Sequence, residues 1–216
     1  MRWTLLTLLR RNSDLLLALV LTVVAGYAGF SAYGGIRFDR ERIEVWVAPG
    51  QVQVTGLYHY RNPSYLPALL SLGVPFPVDA DHPQPTACAL SDADTQGDAL
   101  QPIFPGTKHG ELRFRVLLMP REERWIRLDY VQASRVPRAT YILRTTRGWR
   151  RPLEAGNYIL HLCPGLELAS SSYPVAAERE GRTMTYSFAR NNFYPDEDWV
   201  FSWRDAGTVR ASGSAP

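Results

Sequence analysis

The stretch LRFRVLL, Leu112 to Leu118, decides the fold class. Leu112, Phe114, Val116 and Leu118 alternate with Arg113 and Arg115, the period of two that sends one row of side chains into a core and the other into water. The same period recurs on both sides of it. Upstream, Gln51 to Tyr60 carries Val52, Val54, Tyr58 and Tyr60 on one face, with Gly56 read as a bulge. Downstream come Ile126, Leu128 and Tyr130; Tyr141 to Leu143; Tyr158, Leu160 and Leu162; Met184, Tyr186 and Phe188; and Trp199, Phe201 and Trp203. Pro, Gly, Asn or Asp bounds each run. Roughly eight or nine short strands at this spacing predict a mainly β chain, a single antiparallel β-sandwich of Greek-key type. Two stretches break the pattern. Pro77 to Gly110, rich in proline and acidic residues, reads as a long loop, and the small, polar residues 211–216 read as a disordered tail.

Ahead of the strands lies LLLALVLTVVAGYAGFSA, Leu15 to Ala32, with no charged side chain. Its length approaches the ~20 residues a helix needs to cross a bilayer, satisfying every backbone group internally. Residues 15–33 are therefore expected to be a signal-anchor transmembrane helix, with 1–14 cytoplasmic and 34–210 an extracytoplasmic domain. The alternative is a cleaved signal peptide ending at Gly26-Tyr27-Ala28. Tyr27, Phe30 and Tyr33 suit an interfacial aromatic belt and favour the anchor. Arg2, Arg10 and Arg11 before the segment match Arg37, Arg40 and Arg42 after it. The free amino group and the close arginine pair favour a cytoplasmic amino terminus.

The chain is 45% hydrophobic, and the ~175 residues beyond the anchor suffice for one domain with its own core. Lys108 is the only lysine, so positive charge is nearly all arginine. Arginine suits bidentate contacts to phosphate or carboxylate, although a GC-rich coding sequence yields the same letters. Cys88 and Cys163 are the only cysteines. Outside the cytoplasm they are candidates for a disulfide closing a loop of about 75 residues, worth on the order of 4 kcal/mol; two buried thiols are the alternative.

No catalytic motif is present: the chain lacks G-x-S-x-G, H-E-x-x-H, G-x-x-x-x-G-K and C-x-x-C-H. Asp92, Asp94, Gln96 and Gly97 open like a calcium loop, but Ile103 stands where a bidentate Glu is required. Asn191, Asn192, Asp196, Glu197 and Asp198 form a second oxygen-rich cluster, equally readable as a polar turn. His161 and Cys163 share a strand face, as two zinc or copper ligands would, and completing a site needs His59, His82, His109 or Cys88 from elsewhere. RTTRGWRR, with Arg144, Arg147, Arg150 and Arg151 around Trp149, reads as a strand end and turn. It is either an anion-binding surface for lipid headgroups or an acidic glycan, or a solvated turn whose Trp149 packs inward. Trp125, Trp149, Trp199 and Trp203 are interface anchors if exposed and core residues if not.

One set of short motifs has a family look: a strand into Tyr60-Arg61-Asn62-Pro63, then Val74-Pro75-Phe76-Pro77, later IRLDYVQ from Ile126 to Gln132, and Tyr141-Ile142-Leu143 with Trp149 and Pro152-Leu153. Together, over Val45 to Leu162, they resemble secreted bacterial β-sandwich domains related to the vault and inter-alpha-trypsin (VIT) domain. The resemblance implies an interaction or structural role and carries over no site residue. The expectation is a noncatalytic, single-pass envelope protein without cofactor, lying in the bilayer and binding another protein of a membrane assembly as an accessory subunit. An envelope-polymer enzyme using His161 and the long loop, and a glycan- or lipid-binding module, are the alternatives. The compartment makes nucleic acid an unexpected partner.

Overall fold

The computed structural model describes residues 35–108, 111–181 and 183–207. The expected membrane helix, His109 and the polar tail lie outside them. Among the described residues, no helix is long and apolar enough to cross a membrane.

The chain is mainly β. In order it forms β1 (Arg37–Ala48), β2 (Gln51–Arg61), β3 (Ala68–Val74), β4 (Ala87–Ala93), β5 (Ala99–Pro102), β6 (Gly106–Lys108), β7 (Glu111–Leu118), β8 (Glu123–Ala133), β9 (Arg138–Tyr141), a 3-10 helix (Arg144–Trp149), β10 (Leu153–Leu162), β11 (Leu166–Ser171), β12 (Ala176–Glu180), β13 (Thr183–Phe193) and β14 (Trp199–Asp205). One large sheet has the order β12-β13-β10-β1-β2-β8-β4-β5; β11-β14-β9 and β3-β7-β6 form two small ones. The inner faces of all three meet in one buried cluster. Tyr158 of the large sheet, for example, packs edge-on against Trp199 of β14, ring centroids 6.0 Å apart.

Leu112, Phe114, Val116 and Leu118 are all buried on β7, as their alternation demands. Other expectations are corrected. The large sheet is mixed, because β10 runs parallel to β1 from Arg40↔Ala155 to Val47↔Leu162. The stretch 77–110 contains three strands rather than one loop. In β4, ACALSDA, only Leu90 and Ala93 are buried, so pairing to β8 is carried by backbone and leaves almost no hydrophobic period. The strand expected at Tyr141 to Leu143 ends at Tyr141, and RTTRGW winds into the helix instead of a turn. Gly56 is no bulge: it pairs in continuous register with Ile43, and the register shift falls between Phe38 and Arg40.

Cys88 and Cys163 are both free. Cys88 lies on β4 and Cys163 just beyond β10, four strand positions apart in the sheet order, which places them about 19 Å from each other. A disulfide needs Cα atoms within about 7 Å, so the expected bond is geometrically excluded.

Candidate functional site

The shift in β1 sets up the main site. Ile43, Val45 and Val47 face the core with period two, and stepping back once more brings Glu41 to the same face. The extra residue at Asp39 then returns Phe38 to that face as well, the usual effect of a bulge. An acidic side chain thus continues the apolar row of the sheet's central strand, 4% exposed.

Two Gly-x-Tyr pairs flank it. On β2, Tyr58 folds back over Gly56; on β10, Tyr158 folds back over Gly156, where an added Cβ would lie 2.6 Å from the Tyr158 hydroxyl oxygen. Because β10 is parallel to β1, Gly156 stands beside Glu41 and Tyr158 beside Ile43. The folded-back Tyr158 hydroxyl therefore reaches Glu41 and donates a hydrogen bond to Oε1. The Tyr58 hydroxyl meets that of Tyr141, 2.9 Å away.

Above this floor lies a cavity of about 130 Å³ where the three sheets and the 3-10 helix converge. Its walls include Phe38, Tyr60, Tyr130, Phe114 and Trp149, and among its lining residues Gly73 and Thr145 are exposed. Burial pushes the Glu41 carboxyl up to about 7, the Tyr158 hydrogen bond offsetting part of the rise. Burial also lifts Tyr58, Tyr60, Tyr130 and Tyr141 above the ordinary phenol range. At neutral pH the site thus offers one carboxyl balanced between its two forms, surrounded by neutral hydroxyls and rings. It can hold a proton or balance a cation.

The residues singled out from sequence do not gather there, Trp149 excepted. Trp149 packs inward, its ring 5.7 Å from those of Phe38 and Tyr60. The four neighbouring arginines point outward: Arg144 pairs with Asp198 at 3.1 Å, and the Arg147 guanidinium lies 5.1 Å from the Tyr194 ring centroid. Trp199 and Trp203 are buried, which rules them out as interface anchors. Trp125 is half-buried on the outer face of β8, against His59, and walls an open groove of about 460 Å³ with Arg40, Arg42, Gln96 and Glu154.

Several members of the histidine and acidic clusters are engaged by partners of their own, while His59 Nδ1 and Asp92 Oδ1 are buried without a hydrogen bond. His161 stacks on Trp46 at 3.8 Å and bonds Glu44 through Nε2 and Thr185 through Nδ1, both at 3.0 Å. His82 bridges Asp79 and the Arg138 carbonyl, and His59 pairs with Glu123 at 3.3 Å. Asp94 Oδ1 accepts the backbone N–H groups of Gln96, Gly97 and Asp98 at 2.8 to 2.9 Å, shaping the β4–β5 turn. Asp198 Oδ1 accepts those of Leu143 and Arg144 ahead of the helix. Among the described residues, no three His, Cys, Asp or Glu side chains are grouped to hold a metal.

A second surface feature was not read from sequence. Leu69 of β3 and Leu117 of β7 sit directly opposite each other on the outer face of the small sheet. Both are about half exposed, as are Leu66 and Met119 beside them, and Tyr65 is 77% exposed. The Arg121 guanidinium caps the Tyr65 ring at 4.1 Å.

No family model matches the chain, and no curated protein matches it. Solved structures do. A candidate nutrient-binding protein from Legionella pneumophila is similar over 80% of this chain and 68% of that one, at 11% identity and a TM-score of 0.63. An M1 zinc metallopeptidase from Deinococcus radiodurans is similar over 78% of this chain but only 42% of its own, at 11% identity and a TM-score of 0.49. At such identities the likeness to the Legionella protein is one of fold, and the chain is a β domain of that general shape.

Proposed function

We propose that the chain is a noncatalytic envelope protein, held in the bilayer by residues 15–33, whose β domain is a two-layer sandwich that docks on another protein of a membrane assembly. The observation that supports it is the exposed apolar cluster Tyr65, Leu66, Leu69, Leu117 and Met119. Large aliphatic side chains standing together in water mark interaction sites on soluble domains. Farther along the same face Arg115 stands opposite Ser71, so the fitting partner presents an apolar surface with a carboxylate at one edge. The cavity brings Glu41 together with no histidine, which favours binding over hydrolysis. The extracytoplasmic placement rests on the charges around residues 15–33.

The test is purification of the tagged full chain in mild detergent, as wild type and as the Leu69→Lys/Leu117→Lys double variant. A stoichiometric companion present with the first and lost with the second, both folded by circular dichroism, is the expected result. A clean wild-type monomer would sink the proposal.

A second reading has its own support. β1 and β10 start at the same end of the sheet, so Arg150 and Arg151, just ahead of β10, lie toward the end at which β1 begins. In this reading those arginines would meet anionic headgroups. Unchanged binding of the Arg147→Glu/Arg150→Glu/Arg151→Glu variant to anionic liposomes would count against it.

A further inference from the structure

We infer that the Glu41 cavity is a binding site for a small alkylammonium ion. The site is distinct from the docking face, and nothing in the inference depends on that reading.

Charge selects the guest. The cavity is lined by a carboxyl and, among the described residues, by no arginine, lysine or histidine. A buried carboxylate is costly without a positive partner, and the bond that Tyr158 supplies comes from a neutral hydroxyl. The remaining walls do not oppose a cation: Phe38, Tyr60, Tyr130 and Trp149 are aromatic, and ring faces attract ammonium groups by their quadrupole. Tyr58 and Tyr141, whose hydroxyls meet at 2.9 Å, belong to the same lining. An anion would meet the Glu41 charge, and an uncharged apolar guest would leave the carboxyl unanswered. A cation alone satisfies both the carboxylate and the rings.

Size and access set the rest. About 130 Å³ holds several waters and falls short of the ~300 Å³ typical of a drug-sized pocket, so the guest is a few heavy atoms, not a peptide or an oligosaccharide. Gly73 and Thr145, exposed members of the lining, mark the side from which it would enter. Binding and ionisation are linked, because the guest favours the carboxylate over the acid. The titratable groups around Glu41 are Tyr58 and Tyr60 from β2, Tyr141 from β9 and Tyr158 from β10, with Tyr130 from β8 elsewhere in the cavity lining, all phenols lifted by burial. Glu41 is therefore the group whose proton the guest displaces.

The experiment is calorimetric titration of the full chain in mild detergent with choline and with its uncharged carbon isostere, 3,3-dimethylbutan-1-ol. At about pH 8 the wild type is expected to bind choline at least about tenfold more tightly than the isostere. Glu41→Gln is expected to bring the two within about twofold, and Trp149→Leu to weaken choline severalfold. Should Glu41→Gln not fold, the wild type alone decides: choline affinity is expected to drop about tenfold on going from about pH 8 to about pH 5.5. Equal affinity for the two probes, no measurable choline binding at about 10 mM, or a choline affinity indifferent to pH would each overturn the inference.

Discussion

Glu41 is held between tyrosines that arrive from both neighbouring strands, and its chemistry follows from that enclosure. Its carboxyl ordinarily loses its proton near 4.5, and in the folded chain near 7. Between those values the native state holds a proton that the unfolded chain has released, so stability falls as pH rises through that window. The full span is worth about 3 kcal/mol. Urea unfolding of the wild type at about pH 5 and about pH 8 should show most of that loss, and Glu41→Gln should remove Glu41's share of it; an unaltered pH slope in the variant would place the titration elsewhere. The neighbouring glycines are equally constrained. Gly156→Ala would press a methyl against the Tyr158 hydroxyl, and overpacking of this kind costs about 1–3 kcal/mol. A thermal melt would read it, with the Glu41–Tyr158 hydrogen bond weakened at the same time.

At the scale of the element, the 3-10 helix depends on one carboxylate outside it. Asp198 takes two backbone N–H groups at its start and pairs with Arg144. Asp198→Ala should cost about 1–2 kcal/mol, as loss of a helix cap does, and should shift the fluorescence of Trp149, which that helix presses against Phe38 and Tyr60. β4 carries a second expectation: alkylation without reductant should add two labels per chain, at Cys88 and Cys163, and a chain that takes none would restore the bond that the strand order excludes. The elements also show what a reader of the sequence can find. β7, β8, β10, β13 and β14 are legible because large apolar residues alternate in them. β4 is hidden by small residues, and β1 by the same feature that makes it interesting: in ERIEVWVA, Glu41 to Ala48, Glu41 keeps the phase of Ile43, Val45 and Val47, an acid where the period calls for a hydrophobe. Read that way, the buried carboxyl was detectable; its tyrosine partners, one of them more than a hundred residues away, were not. Nor was the Leu69 and Leu117 pair, whose exposure depends on which face of β3 and β7 turns from the core.

For the whole molecule, the position of β1 organises the order of events. It pairs with β2 through a two-residue turn at Pro49 and Gly50, but its other edge waits for β10. A chain ending at Pro152 would leave that edge bare, along with half of the Tyr–Glu–Tyr arrangement, and should show no cooperative thermal transition by circular dichroism. Folding is accordingly expected to be slow, since the β1–β10 contacts close a loop of most of the domain.

The same placement has a mechanical consequence. A pull on the chain ahead of Arg37 acts along β1, which is bonded on one side from Arg37 to Ala48 and on the other from Arg40 to Val47. Freeing it means sliding it past both neighbours at once, so two rows of backbone bonds carry the load together instead of parting one by one. The strand nearest the amino-terminal end is a clamp under shear: a domain tugged from that side would hold its shape until the centre of its largest sheet gave way.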